Sequence, residues 1–224
     1  MARVLISGAT GFLGRELAAA LVSGGHQVRA LIRAGSESRA PAGCQVVTGD
    51  PFDSALYRRL LTSADTLVHL VGVSHPSPAR AALFRSVDLP AAEAAVNGAR
   101  DSAVRHFVYV SVAHPAPVMK EYIAVRSRVE ELIRAAGLNA TILRPWYVLG
   151  PGRRWPLLLA PLYWTLGALP VTRDSARRLG LVRLSQMIRT MALTVEQPPA
   201  GVRVLEVPQI RAASIGSLQS PNKI

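Results

Sequence analysis

Several things that would narrow the class of this chain are scarce in it. It has one cysteine, Cys44, in 224 residues, which excludes an internal disulfide framework and suits a reducing cytoplasm. Lysine is nearly absent: of 26 basic residues only Lys120 and Lys223 are lysines, so arginine carries almost all the positive charge. Acidic residues number 14, which leaves a formal charge of +12. Such an excess concentrates anionic ligands near the surface. No helix-turn-helix, zinc-finger or RNA-binding pattern accompanies it, so specific nucleic-acid recognition is not expected. The five histidines are scattered without metal-ligand spacing, no internal repeat is visible, and no metal is expected. No charged stretch followed by an apolar run and a cleavage site opens the chain, so no secretory signal is expected. The apolar segment 155–171, with Trp155, Tyr163 and Trp164 and ending at Val171, is interrupted by Pro156, Pro161 and Pro170. It is too short and broken to read as a membrane span.

What is there begins in residues 3–21, RVLISGATGFLGRELAAAL. Val4, Leu5 and Ile6 form an apolar run, glycines stand at 8, 11 and 14, and an Ala/Leu-rich stretch with helical periodicity follows. A strand, a tight glycine turn and a helix N-terminus together form a binding place for a pyrophosphate, because the first helical amides have no partners of their own. Gly8 permits the turn, Gly11 lets phosphates approach backbone N–H groups, and Gly14 allows helix and strand to pack closely. Thr10, Phe12 and Leu13 belong to the same cofactor-binding turn. Five further strands are expected at 26–32, 44–48, 66–72, 106–112 and 140–145, with a late one at 203–207. Residues 79–102 read as helix with a break near Leu89, because Pro90 disfavours helix at the residue before it. Asp53 is the expected N-cap of the helix after the third strand. Ser185 is the expected N-cap of a helix over 186–196.

The end of the second strand selects between the two nicotinamide dinucleotides, since the residue there meets the adenosine ribose. Arg33 occupies it, with Arg29 near and Ser36 and Arg39 in the following loop. A guanidinium suits a 2′-phosphate, so NADP(H) is expected over NAD(H). The competing reading of Arg33 is a solvated loop arginine in an arginine-rich chain. Pro145 and Val148 lie at the carboxyl end of the sixth strand, where ligands bind in such sheets, and are expected near the nicotinamide.

The Gly-x-x-Gly-x-x-Gly spacing, with Ser7, Thr10 and the phrase GATGFLG, resembles the extended and atypical short-chain dehydrogenase/reductase superfamily, and most nearly its small NAD(P)H-binding, NmrA-like and NDUFA9-like members. The resemblance covers roughly residues 3–155 and implies several roles. Asp50, in a Gly-Asp pair after the third strand, would stand near the adenine amino group. Leu70, Val71 and Gly72 would run beside the cofactor. Ser111 would hydrogen-bond the reacting carbonyl or alcohol. Tyr122 and Arg126 match Tyr-x-x-x-Lys in spacing, with arginine in place of lysine; the spacing puts both on one helix face. Tyr122 would then exchange a proton with the substrate, the cation favouring its ionised form. Arginine is larger and planar, so the exchange is not conservative, and the alternative is a helix-face tyrosine beside a surface arginine. Asp88 stands where relatives often have asparagine.

The expected architecture is α/β, a doubly wound, mainly parallel Rossmann sheet over residues 1–150. A small C-terminal substrate lobe follows over 151–211, then a flexible tail over 212–224. The leading functional expectation is an NADP(H)-dependent oxidoreductase acting on a small apolar carbonyl or alcohol. Its rivals are a non-catalytic NAD(P)H-binding protein that senses redox state or assists assembly of a complex, and a nucleotide-sugar epimerase or dehydratase. Segment 155–171 reads as a lid, as a patch docking on a protein or membrane surface, or as a packed helix of the lobe. The expected location is cytoplasmic, with peripheral membrane contact open through that segment.

Overall fold

The computed structural model describes residues 1–116, 118–152 and 178–213. The sequence alternates strand and helix: β1 (Arg3–Ser7), α1 (Phe12–Ser23), β2 (Gln27–Ile32), β3 (Gln45–Thr48), α2 (Ser54–Leu61) and β4 (Thr66–His69). There follow α3 (Ala81–Leu83), α4 (Leu89–Arg100), β5 (His106–Val110), α5 (Lys120–Ala135), β6 (Ala140–Arg144) and β7 (Tyr147–Leu149). Beyond the undescribed stretch come β8 (Leu181–Arg183), α6 (Leu184–Glu196), β9 (Val202–Glu206) and α7 (Val207–Ala212).

Seven strands form one sheet in the order β3-β2-β1-β4-β5-β6-β9, every neighbouring pair parallel. Chain order reverses between β1 and β4, which opens a crevice at the carboxyl ends of those strands. Alternation along the strands divides the core in two. Val4, Ile6, Val68 and Val108 face one layer with Leu17 and Leu21 of α1 and Met187 and Met191 of α6. Leu5, Leu67, Phe107 and Tyr109 face the other, with Tyr57 and Leu60 of α2, Ala95 of α4 and Val129 and Ile133 of α5. The doubly wound Rossmann architecture expected from the sequence is therefore the one found.

Several local expectations change. β4 ends at His69, not residue 72, and β5 at Val110, not 112, although Ser111 N and Ala113 N still donate to Leu143 O and Pro145 O beyond β5. The helix over 79–102 is a series: a 3₁₀ turn, α3, a π-helical turn at Phe84–Asp88, then α4 with Pro90 in its first turn. The break expected near Leu89 is not found: Leu89 has helical angles, φ −67° and ψ −55°, and opens α4, and the chain passes Pro90 through the π-helical turn just before it. α6 starts at Leu184, two residues ahead of the expected helix start at 186. β8 runs straight into it, and the Arg183 N–H donates to Gln186 Oε1 at 2.9 Å, so Arg183 and not Ser185 holds the N-cap position. Val148, expected at the carboxyl end of the sixth strand, is in β7 and pairs with Val182 in a separate two-stranded sheet. Ala212 closes α7 and Ala213 is buried, so the flexible tail expected from 212 does not begin there. Residues 214–224, and the segment 155–171, lie outside the described residues. No helix among the described residues is long and apolar enough to cross a membrane.

Candidate functional site

β1 delivers the chain to Gly8, whose φ is +78°, in the left-handed region where a side chain is strained. A Cβ there would also stand 2.6 Å from the Leu70 carbonyl carbon and 2.8 Å from Val71 N. The glycine turn and the segment after β4 are thus in backbone contact across the crevice. A Cβ on Gly14 would lie 2.3 Å from Gly8 O and 2.7 Å from Ala9 Cα; only a bare backbone lets α1 pack this close to the turn. Gly11 is different. Its φ of −78° suits any residue, and its Cβ would meet Gly8 O alone, at 3.1 Å. It occupies the N-cap position of α1, where no side chain accepts from the first amides. An uncapped helix N-terminus carries the positive end of the helix dipole and favours an anion.

Beneath the turn, Ser7 Oγ is 2.9 Å from His69 Nδ1, tying the ends of β1 and β4. His69 is 1% exposed, and burial pushes its pKa down to about 3. The ring lies in the core, and its Nε2 has no hydrogen-bond partner among the described residues.

Arg33 is exposed immediately after β2. In the loop beyond, Arg39 Nη2 donates to Ser36 Oγ at 3.0 Å, and Ser36 N donates to Arg33 O at 3.1 Å. Arg29 does not join them: its guanidinium donates to the Leu60 carbonyl on the α2 side. Asp50 is exposed, and its Oδ1 accepts from Phe52 N at 2.9 Å. The cap of α2 belongs to Asp53, which accepts from Ala55 N at 2.8 Å and Leu56 N at 3.1 Å.

The three residues matched to the proton-transfer set divide into two networks. Ser111, just past β5 and 3% exposed, donates to Glu130 Oε1 at 2.6 Å. Glu130 is also held by both sides of the Arg144 guanidinium, and Arg144 reaches Glu206 Oε1 at 2.9 Å. Burial acts to raise the Glu130 carboxyl; the hydrogen bonds from Arg144 and Ser111 reverse it, so its pKa lies below the ordinary carboxylate range. Pairing along the surface of α5 is minor. Arg134 is 4.0 Å from Glu130, and Glu131 pairs with Arg128.

Arg126 is not a surface residue. It is 7% exposed. Its Nη1 donates to Tyr109 OH and to Val110 O, each at 3.1 Å, and its Nη2 donates to Asp88 Oδ2 at 2.8 Å. The guanidinium carbon lies 4.9 Å from the Tyr122 ring centroid and 5.5 Å from that of Tyr109. Tyr122 packs in turn on Phe84, centroids 4.9 Å apart. Burial alone would lower the Arg126 pKa; the oxygens of Tyr109, Tyr122 and Asp88 raise it, and it stays charged. Burial pushes Asp88 the other way from its partner's pull, and raises Tyr109 to about 12. So Tyr122 and Arg126 are brought together, whereas the hydroxyl of Ser111 is turned into the Glu130 network. At the sheet's carboxyl edge, Pro145 is buried and its carbonyl accepts from Ala113 N at 3.0 Å.

Two residues of the site were given no part in it from the sequence. Glu130 and Asp88 are both buried and both hold a residue matched to the proton-transfer set. The available signal was spacing: Val125, Val129 and Ile133 mark the buried stripe of α5, and Arg126 and Glu130 flank it.

A doubly wound sheet with a glycine turn at its switch point and a Tyr-Arg pair on the helix after β5 defines a dinucleotide-binding protein of the dehydrogenase type. The chain belongs to the NAD(P)H-binding family, whose model matches residues 8–154, a family within the atypical short-chain dehydrogenase/reductase superfamily. It is similar to ceramide reductase of Caulobacter vibrioides, 33% identical over 181 residues, covering 78% of this chain and 55% of the relative. It is similar also to photosystem II assembly factor Ycf39 of Cyanophora paradoxa, 27% identical, covering 63% and 44% respectively. The chain thus spans about half the length of these relatives. In fold it matches the Bordetella bronchiseptica enzyme WbmH, whose structure is a complex with NAD⁺: 19% identity, TM-score 0.68, 92% of this chain and 75% of that one.

Proposed function

We propose that this protein is an NADP(H)-dependent reductase of a small apolar carbonyl compound. The observation that carries the reading is the Tyr122–Arg126 stack beside a crevice whose glycine turn leaves room for a pyrophosphate. The residues fit the coenzyme. Gly8 and Gly14 keep the cradle free of Cβ atoms, and the amides at the start of α1, after Thr10 and Gly11, are the donors for the diphosphate. Arg33, exposed at the end of β2 with Ser36 and Arg39 beside it, would hold a 2′-phosphate, and Asp50 the adenine edge. Leu70 to Gly72, Pro145 and Val148 would line the nicotinamide end. Bound there, a reduced nicotinamide supplies hydride.

Tyr122 then supplies the proton to the carbonyl oxygen. The buried guanidinium on its ring face stabilises the charge left on the phenol oxygen, at a distance where cation and ring attract. Ser111 has its proton committed to Glu130, so it would offer a lone pair and leave Tyr122 as sole donor to the carbonyl. Arg126 is committed to Asp88, Tyr109 and Val110 and would support Tyr122 without holding the ribose. The name of the Caulobacter relative supports reduction as the chemistry.

The test uses purified protein, NADPH and a panel of apolar ketones and aldehydes, comparing the native chain with Tyr122→Phe. Loss of about two to four decades in turnover is expected, the usual worth of positioned proton transfer. Unchanged turnover would remove Tyr122 from the chemistry. Coenzyme choice is read separately by titrating NADPH and NADH against Arg33→Ala. One charge-assisted contact of about 1.5–3 kcal/mol corresponds to roughly one to two decades of preference, which that substitution should abolish.

A second reading has its own observation. The Ser111 hydroxyl and both Nη nitrogens of Arg126 are engaged internally, as they would be in a protein that binds the coenzyme without catalysis, and the Ycf39 relative is an assembly factor. Tight NADPH binding with no oxidation of it by any of the panel would favour that reading.

A further inference from the structure

The segment after β4 is held from behind by a buried charge pair, and the arrangement suggests what the pair does. Asp88, at the end of the π-helical turn and 1% exposed, uses both carboxylate oxygens. Oδ1 accepts from Val73 N at 2.7 Å, and Oδ2 from Arg126 Nη2 at 2.8 Å. A Cβ on Gly72 would stand 2.8 Å from that same Nη2 and 3.2 Å from Oδ2. The backbone of Gly72 therefore lies flat against the ion pair, and Val73 is bonded to it. Two residues earlier, the Leu70 carbonyl closes on Gly8. One short strip of backbone thus runs from the glycine turn, along the crevice, to the charge pair.

We infer that Asp88 and Arg126 are positioning residues for the nicotinamide half of the coenzyme, acting through the backbone of Gly72 and Val73 and not by contact with the ribose. The inference rests on the coenzyme reading above. Its chemistry is economical: Arg126 is fixed on three sides by Tyr109, Val110 and Asp88, so the strip is pinned to α5 and to the end of β5 together. The adenosine half, at Arg33 and Asp50, lies across β1 on the far side of the switch point and is independent of the pin. The two halves of the ligand should then respond differently when the pin is loosened.

Asp88→Asn keeps the shape, weakens the hold on Arg126 and leaves an acceptor for Val73. Gly72→Ala leaves the charges alone and pushes the strip off the pair. Affinities for two probes are measured by calorimetry or fluorescence on each variant: NADPH, and 2′,5′-ADP, which lacks the nicotinamide half. Both variants should weaken NADPH about tenfold, the loss of one buried charge-assisted contact. They should leave 2′,5′-ADP within about twofold, small against that loss. Arg126→Lys, which keeps the charge but not the three-sided anchorage, should fall between native and Asp88→Asn. If Asp88→Asn is too unstable to purify, Gly72→Ala decides alone. Equal weakening of both probes, or no weakening of NADPH, overturns the inference while the coenzyme reading stands. Failure of the native chain to bind either probe overturns the coenzyme reading, and the positioning role with it.

Discussion

Acid should loosen this protein well above the pH at which its carboxylates titrate, through two histidines that the fold keeps neutral. His69 and His106 are each 1% exposed. Burial pushes both from an ordinary 6.5 down to about 3. His69 stacks between Phe107 and Tyr109, centroids 6.4 and 6.3 Å away, and shares one hydrogen bond with Ser7. His106 Nε2 is 3.0 Å from Thr141 Oγ1. Arg126 and Arg203 add positive charge that further opposes protonation. Because the folded pKa is depressed, the unfolded chain binds more protons between about pH 3 and 6.5, so stability is full above 6.5 and falls as the pH drops below it.

From pH 7 to pH 5 each histidine should cost about 2 kcal/mol, and the pair about 4. Carboxylates lowered in the folded state, Glu130 among them, contribute only a few tenths in that interval, because their unfolded groups are still ionised. Against a total stability of about 5–15 kcal/mol, the histidine contribution is large. Urea melts followed by circular dichroism at pH 7 and pH 5 measure it directly. His69→Phe, placing an apolar ring between the same aromatics, should remove about half of the pH dependence. A native chain losing less than about 1 kcal/mol over this range, or a His69→Phe variant with undiminished pH dependence, would refute the account.

Two glycines in one turn should fail in different ways. Gly14→Ala gains about 1 kcal/mol of helix propensity but sets a methyl 2.3 Å from Gly8 O, backbone that cannot move aside. A net loss of about 2 kcal/mol or more is expected in thermal melts. Gly11→Ala, with its ordinary φ and one contact at 3.1 Å, should keep the melting temperature within a few degrees while weakening NADPH at least tenfold. Equal behaviour of the two variants would contradict the assigned geometry. Asp53→Ala removes the acceptor for Ala55 N and Leu56 N and should cost about 1 kcal/mol in denaturant melts; no loss would place the cap elsewhere.

The fold was legible because its signals are local. Apolar runs of strand length and a glycine turn between strand and helix each act within a few residues of where they are read. The site was legible only where it shares that property. Tyr122 and Arg126 were paired by a four-residue spacing. The partners that decide what they do are Asp88, 38 residues away, and, for Ser111, Glu130, 19 away on a helix. An arginine and a glutamate read alone are expected at the surface, since burying either charge without a partner is costly. Here each is buried because an opposite charge arrives from another element, which no window along the chain contains.

Replacing lysine by arginine at position 126 has a consequence that follows from shape. An ammonium on a flexible stem can rotate toward whatever enters the crevice. A guanidinium whose carbon lies 4.9 and 5.5 Å from two ring centroids and which is bonded to Asp88, Tyr109 and Val110 is held in place. Arginine cannot shed its proton, so it would have been a buried unpaired charge had Asp88 been neutral. The acid at 88 and the arginine at 126 are therefore best understood as a matched pair. In the positioning role proposed for them, they exchange a mobile cation for a fixed one, and coenzyme positioning would pass to the backbone at Gly72 and Val73.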